Sequence, residues 1–325
     1  MTILKGPLEI VFNITNKCNF RCLHCFNRSG ENLREKELSD KEVLELMEEI
    51  KDIKPFNLCF SGGEPLLRKK LLLSCAKQLS NKGIRVSLVT NGYFLDERTV
   101  KELKDSGVSD IEVSIDGATP ETHEHLRRKK GSFYRALEAL KNLKKINFPI
   151  YEASFVATKF NIKELGKTIL LLEKINVPAL YIRPMLIIGT AEKFMKELLP
   201  TQYQYREIWR VINKINSNGN YKIKVEFYDP MNHLFIFPQK DFFYGIEIKA
   251  DGSLILSPHF QIKVGNIRKH RLIEYWRAGL HKVWKLPRIR NLLNKITSHN
   301  TLMNLHKNIN TFSFDLIDNK YASRF

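Results

Sequence analysis

Three cysteines share one short stretch, Cys18-Asn19-Phe20-Arg21-Cys22-Leu23-His24-Cys25, in a C-x3-C-x2-C spacing. The stretch follows an apolar run, Leu8-Glu9-Ile10-Val11-Phe12, that reads as a strand. Thiolates crowded into one loop suit a soft metal: iron–sulfur, zinc or copper(I). A structural zinc site takes four ligands, and no fourth cysteine lies nearby. A four-iron cluster normally takes four cysteines as well. Three cysteines therefore point to a cluster with one iron left open for a substrate or cofactor.

The elements that must position this loop alternate regularly. Strand patterns fall at about residues 7–14, 56–60, 84–90, 110–116, 150–158 and 179–184, with helices predicted between them. Ser39 and Glu42 stand in capping-box register for a helix over 40–51, and Asn161 and Glu164 for one ending near 175. Asp96 is an N-cap for a helix that stops at Gly107. Six strand–helix units predict a parallel sheet, because each crossover helix returns the chain to the same edge. The sheet is either an open doubly wound one or a barrel, and in both the site lies at the C-terminal ends of the strands.

Beyond residue 188 the pattern changes. A helix is predicted at about 202–216, a short strand at 221–227, and two strands, 244–248 and 252–256, around an Ala250-Asp251-Gly252 turn. Gly265-Asn266-Ile267 leads into a helix near 271–285, which Pro287 ends.

The cysteine spacing, with a ring residue before the third cysteine, resembles the radical S-adenosylmethionine (SAM) superfamily. Ser61-Gly62-Gly63-Glu64-Pro65 resembles that family's GGEP motif, and Thr90-Asn91-Gly92 and Ser114-Ile115-Asp116-Gly117 sit where it has further SAM contacts. The resemblance runs through roughly the first two-thirds of the chain and implies an α/β fold, a partial (β/α)6 TIM-like barrel. It makes Cys18, Cys22 and Cys25 ligands of a single [4Fe–4S] cluster whose open iron chelates SAM. Cleavage of SAM then yields a 5′-deoxyadenosyl radical, chemistry that belongs to the cofactors while the protein binds and orients them. His24 takes the ring position beside the adenine. Gly62 and Gly63 allow close backbone approach, and Glu64 adds a charge-assisted hydrogen bond to the SAM amino group. Asn91, Ser114 and Asp116 are expected polar contacts to SAM. Arg127, next to Arg128, is expected near its carboxylate; the plain alternative for both arginines is exposed charge at a helix end.

The end of the chain resembles the small α+β twitch or SPASM extension of radical SAM enzymes that modify peptides or small metabolites. The auxiliary-cluster cysteines are missing: Ser257 stands where one usually follows the second strand, and none occurs after Cys75. Two domains are thus expected, a core over 1–190 and a degenerate extension over 191–325 with a basic helical tail. The resemblance implies hydrogen abstraction from an unactivated carbon in maturation of a ribosomally made peptide, by epimerisation or cross-linking. The alternative is a small sugar, nucleoside or lipid precursor.

Two cysteines remain. Cys59 shares strand parity with Asn57 and Ser61, opposite Phe56, Leu58 and Phe60, so it is expected to face the barrel lumen. There it is a candidate for returning a hydrogen atom to the substrate; the alternative is a small apolar core residue. Cys75 reads as helical core. This cysteine usage is not a disulfide framework, and an oxygen-sensitive cluster fits a reducing cytoplasm. No signal peptide or bilayer-length apolar run is read in the sequence.

The formal net charge is +18 over 325 residues. Residues 261–325 hold 13 Lys/Arg against 3 Asp/Glu, a net +10. Such a skew fits an acidic leader peptide, an anionic membrane surface or nucleic acid, or simply a solvated basic face. No RNA- or DNA-reading motif accompanies it. Leu272, Ile273, Trp276, Leu280, Val283 and Trp284 fall at helical spacing within this tail. They make either a docking stripe for its own domain or an amphipathic binding face. The resemblance also implies an electron donor of the ferredoxin or flavodoxin kind.

Overall fold

The computed structural model describes residues 4–31, 36–217, 219–228, 245–257, 260–298, 301–302, 304–305 and 313–318. Six parallel strands follow one another in space as in sequence: β1 (Glu9–Thr15), β2 (Asn57–Gly62), β3 (Arg85–Thr90), β4 (Asp110–Ser114), β5 (Ile150–Ala157) and β6 (Ala179–Pro184). β7 (Lys224–Phe227) adds to β6, again in parallel. On the other side β8 (Gly245–Ile248) pairs parallel with β1, and β9 (Ser253–Ser257) and β10 (Phe260–Asn266) follow antiparallel. The described strands therefore form one ten-stranded sheet in the order β10-β9-β8-β1-β2-β3-β4-β5-β6-β7. Tyr244, expected to open β8, lies outside the described residues.

Each parallel strand has one apolar and one polar face. Phe12, Leu58, Phe60, Leu88, Val113, Phe155 and Ile182 pack outward under the helices in one continuous core. Asn13, Cys59, Ser87, Glu112, Glu152 and Arg183 hold the opposite parity and line the inner face. The sheet is curled. Four strand spacings would separate β2 and β6 by about 19 Å in a flat sheet. Yet Cys59 on β2 and Arg183 on β6 act on each other electrostatically, as do Glu9 on β1 and Tyr228 just past β7.

Local chemistry sets the helix starts. Ser39 and Glu42 form the expected capping box on α1 (Asp40–Ile53), and Asp96 Oδ1 accepts the Thr99 N–H at 2.7 Å to start α3 (Glu97–Asp105). Gly107 takes φ +85° to end that helix, a conformation with little steric cost only for glycine. The helix after β2 is entered by a 3-10 turn, Pro65–Arg68, before α2 (Lys69–Ser80).

Four expectations need correction. A helix the sequence reading omitted, α4 (Pro120–Arg127), is capped by Thr119 and precedes α5 (Ser132–Lys145). The Asn161/Glu164 capping box does not form. Instead a 3-10 turn, Ile162–Glu164, leads into α6 (Leu165–Lys174). Asn161 is drawn away by Thr158, Val156 and Asp116, and Glu164 by Ala118 N and Thr122 Oγ1. The helix expected over 271–285 is two pieces, Leu272–Arg277 and a 3-10 turn Leu280–Lys285, broken at Gly279 with φ +104°. Pro287 does not terminate a helix but opens one, Pro287–Leu293, as suits a residue with a fixed φ and no N–H to lose.

The tail's apolar stripe docks on its own domain. Leu272, Trp276, Leu280, Val283 and Trp284 are buried in the same core as the barrel helices. Trp276 Nε1 donates to Leu4 O at 2.8 Å, and the Ile273 N–H donates to Glu49 of α1 at 2.7 Å. That apolar face is spent inside, so it cannot also enter a membrane. No helix among the described residues is long and apolar enough to cross one.

Candidate active site at the cysteine loop

The cysteine loop leaves the C-terminal end of β1 and is pinned from several sides. The Leu23 N–H donates to Leu126 O of α4 at 2.9 Å. Cys25 O accepts the Thr190 N–H at 2.8 Å, from the segment after β6. Phe20 is buried edge-on against Tyr93, with ring centroids 5.8 Å apart. From β2, the Gly63 N–H donates to Thr15 O at 2.7 Å and the Glu64 N–H to Lys17 O at 2.9 Å.

Those contacts explain both glycines. A Cβ on Gly63 would sit 2.0 Å from Lys17 O, and one on Gly62 would sit 2.3 Å from Thr15 O. Gly62 also has φ +129°. The close approach is thus first of all between two backbones of this chain, the GGE turn and the start of the cysteine loop.

The sulfurs converge without crowding. The Cys25 N–H donates to Cys22 O at 3.3 Å, folding the last two cysteines into a turn, and Phe20 N–H donates to Cys18 Sγ at 3.4 Å. Cys18, Cys22 and Cys25 act on one another electrostatically. Burial, reinforced by this mutual repulsion, pushes the Cys18 thiol to about 11 and the Cys22 thiol to about 12. A metal must therefore displace their protons. The three sulfurs do not all lie within 4.8 Å of one another. Tetrahedral zinc, with bonds of about 2.3 Å, needs sulfurs about 3.8 Å apart. Three thiols with no fourth cysteine nearby fit a cluster with one iron left open. Asn19 Nδ2 and His24 Nδ1 are buried beside it with no hydrogen-bond partner, as expected of groups facing a site that a ligand completes. The residues present fit an iron–sulfur cluster with a small polar ligand.

Asp116, just beyond β4, is the electrostatic centre of the site. It is fully buried. Its Oδ2 lies 2.6 Å from Arg127 Nε and 3.1 Å from His24 Nε2, and its Oδ1 accepts the Val156 N–H at 2.8 Å. Burial alone would raise its pKa, but the Arg127 guanidinium, then His24, outweigh it and hold the carboxyl well below the usual range. Arg127 also hydrogen-bonds Cys22, so one guanidinium links a cysteine to the Asp116 carboxylate. Arg127 is buried; its neighbour Arg128 is exposed and ends α4 at φ +53°. His123 Nδ1 accepts the Asp116 N–H at 3.1 Å, and burial, then Arg127, lowers this imidazole to about 3. His123 is therefore a neutral ring with an unpartnered Nε2.

Glu64 is likewise fully buried. Its carboxylate accepts from Leu66 N–H at 3.1 Å, Thr90 Oγ1 at 2.7 Å and Asn91 N–H at 2.9 Å. Burial raises its pKa. Glu64 and Asp116, both expected SAM contacts, are fully buried, and their carboxylates are bonded to groups of this chain. Asn91 has a similar part, its Nδ2 donating to Asn19 Oδ1 at 2.9 Å and its Oδ1 accepting the Tyr93 N–H at 3.0 Å. Ser114 stands on the inner face two residues before Asp116. Cys59 also faces inward but lies deeper, on the middle of β2. Cys75 is buried on α2, as expected.

The sequence reading missed Asn19, Asn161 and His123. Asn19 was within the cysteine loop and visible. His123 lies on α4, a helix the reading lacked, seven residues from the backbone N–H it accepts.

Comparison with known proteins gives the family. The Radical SAM superfamily profile matches residues 12–172, which include the three cysteines, the GGE turn and Asp116. The chain belongs to the radical SAM superfamily. It is 31% identical over 204 residues to the AdoMet-dependent heme synthase of Methanosarcina barkeri, covering 63% of this chain and 58% of that protein. It is 28% identical over 206 residues to the mycofactocin maturase MftC of Mycolicibacterium smegmatis, covering 63% and 52%. This radical SAM chain thus spans only about half to three-fifths of the length of such curated relatives. Among solved structures, Streptococcus suis SuiB bound to S-adenosylmethionine superposes with a TM-score of 0.70 at 14% identity, covering 96% of this chain and 77% of that one. Native anSMEcpe with bound AdoMet gives 0.63 at 19% identity, covering 82% and 80%. These structures share the radical SAM partial-barrel fold.

Proposed function

We propose that this protein is a radical SAM enzyme that holds one [4Fe–4S] cluster on Cys18, Cys22 and Cys25 and binds SAM beside His24, Asn91, Ser114 and Arg127. The observation that carries the reading is the meeting of the cysteine loop, the GGE turn and the Arg127–Asp116–His24 group at the C-terminal ends of the strands. When bound, the cluster supplies the electron that cleaves SAM. The chain's own work is positional. Gly62 and Gly63 let the second loop seat on the first. Glu64 ties that turn to the end of β3. Asp116 orients Arg127 and His24 and neutralises the guanidinium beside Cys22.

The substrate we infer is a ribosomally made peptide, modified by epimerisation or cross-linking. The support is the company the chain keeps: a mycofactocin maturase, a PqqA peptide cyclase, and a SuiB structure bound to the precursor peptide SuiA. Residues 1–190 would form the core and 191–325 a reduced extension, although β8 to β10 continue the core sheet without a break. No cysteine follows Cys75, so no cysteine set for a second cluster exists in the extension, and that favours redox-neutral epimerisation. Cys59, on the inner face of β2, is our candidate for the hydrogen return. Burial pushes its thiol up to about 12, which keeps the S–H intact at neutral pH. A thiol with its proton can give a hydrogen atom to a carbon-centred radical, leaving a sulfur radical for the electron donor to reduce. That donor would be of the ferredoxin or flavodoxin kind, in a reducing cytoplasm. A second reading, a small-molecule substrate, is favoured by the resemblance to a heme synthase.

Anaerobic reconstitution tests the core of this reading. About four irons per chain, with 5′-deoxyadenosine formed from SAM and dithionite, is the expected result. Tightly bound zinc, or no SAM cleavage, would overturn it.

A further inference from the structure

The inner face of the barrel is acidic in a chain whose net charge is +18. At the lower rim Arg85 pairs with Asp110 and Lys224 with Glu226. Higher up, Arg183 pairs with Glu112 and Lys249 with Glu247. Glu9 and Glu152 have no ion-pair partner, which leaves two inner-face carboxylates in excess among the described residues. Glu152 is also the direct register partner of Glu112 on the neighbouring strand. Like charges side by side on a sheet are destabilising. Of the two arginines that act on Glu152, Arg183 donates to Glu112 and Arg85 to Asp110.

A second observation comes from the opposite wall. Glu247 on β8 stands on the inner face, since Ile246 and Ile248 point into the core. It is 1% exposed. Asn13 Nδ2 and Lys249 Nζ both reach its Oε1, each at 2.8 Å, and its Oε2 has no partner. Lys249 in turn donates to Asn27 Oδ1 at 2.9 Å, two residues past Cys25. Lys249 thus ties the Glu247 carboxylate to the loop that follows the cysteines. A buried carboxylate oxygen without a partner is a place for a donor that the described residues do not supply.

We propose that the bore recognises a substrate bearing a primary ammonium or guanidinium group, with Glu152 as its counter-ion and Glu247 Oε2 accepting a second N–H or O–H of the same molecule. The proposal rests on the reading of the bore as the substrate cavity. In a peptide the matching group is a lysine or arginine side chain. Glu152 lies level with Glu112, four residues below Asp116 on β4, or about 13 Å along the strand. The cation would thus be anchored deep, and the rest of the substrate would extend upward toward the cysteine loop. Burial, then Glu112 and Asp110, raises the Glu152 carboxyl to about 7, with Arg183 and Arg85 opposing. Tyr181 on β6 faces it as well.

The test compares two probes on the reconstituted protein by ligand-observed NMR, without SAM or reductant: N-acetyl-lysine methylamide, and N-acetyl-norleucine methylamide, which lacks the ammonium. The lysine probe should bind at least about tenfold more tightly at about pH 8, the scale of one charge-assisted contact. Glu152→Gln should abolish that preference. Glu247→Gln should weaken both probes together and leave the preference in place. In the wild-type protein alone the preference should fade below about pH 6, as Glu152 takes up its proton. Equal affinity for the two probes, or a preference that survives either Glu152→Gln or acidification, would overturn the proposal. Because the assay needs no SAM cleavage, its outcome and that of the reconstitution experiment are read separately.

Discussion

Asp116 and Arg127 form an ion pair of 2.6 Å that is buried on both sides. It joins the end of β4 to the last turn of α4, and through Cys22 and His24 it reaches the cysteine loop. Asp116→Asn would strand a buried guanidinium. The expected loss of stability is about 3–5 kcal/mol, the usual result of removing one partner of a buried pair. Urea denaturation checks it. Because the Asp116 pKa is depressed, its contribution is present above the unfolded carboxyl value and is lost as pH falls through the folded one. Wild-type stability should therefore fall on acidification more steeply than that of the variant.

Gly63→Ala puts a methyl 2.0 Å from Lys17 O, backbone against backbone. The GGE turn would have to lift off the cysteine loop. Reconstituted Gly63→Ala should hold less than about half the wild-type iron, with the helical circular dichroism kept, since the clash is local. Gly166→Ala is the control. It lies in α6 with nothing within 4 Å of the new Cβ. It should retain iron and gain about 0.5–1 kcal/mol.

Glu64→Gln keeps the shape of a fully buried side chain but turns an NH2 toward donors. Three groups now donate to the carboxylate, and an amide has one acceptor oxygen for them. A cost of about 1–3 kcal/mol is expected from the donor left unpaired. The end of β3, where Asn91 sits, should lose protection from hydrogen exchange first.

Glu152→Gln should stabilise the protein in alkali and not in acid. The folded carboxyl is raised to about 7, by burial and then Glu112. Such a group contributes stability below its unfolded value of about 4.5 and loses it as pH rises through the folded one. Near pH 5 wild type and variant should melt together, and near pH 8 the variant should melt about 2 °C higher, a small difference because the group is partly solvated.

Cys59 should be slow to alkylate. With its thiol raised to about 12, little thiolate exists at neutral pH. Mass spectrometry after iodoacetamide near pH 8 should show modification of Cys59 at least about a hundredfold slower than that of free cysteine. A rate like that of free cysteine would remove the support for a protonated hydrogen donor.

Much of the fold was legible because its signals are local. Strand positions followed from short apolar runs, and β6 (Ala179–Pro184) and the helix Gln202–Asn216 matched their expected limits. Ser39, Asp96 and Gly107 marked helix ends through contacts within a few residues. Strand parity put Cys59 on the inner face. The reading failed where a distant residue competed for a local partner. Asn161 is a good cap by type, but Asp116, 45 positions away, offers its carbonyl oxygen as well. The tail helix looked continuous because its apolar spacing carried through Gly279, where the backbone turns at φ +104°.

By itself the sequence determined the order of the elements, the side of each strand that meets the core, and three thiols close enough to share one cofactor. These are matters of spacing along a chain with fixed periodicity. Only the tertiary structure decided what the polar residues touch. Asp116 and Glu64 became buried supports, Arg127 rather than Arg128 entered the site, and Glu152 came to lie beside Glu112 with no ion-pair partner among the described residues. Each outcome depends on which strands become neighbours and how far the sheet curls. No local pattern encodes those distances, and the free energy of a buried charge turns on them.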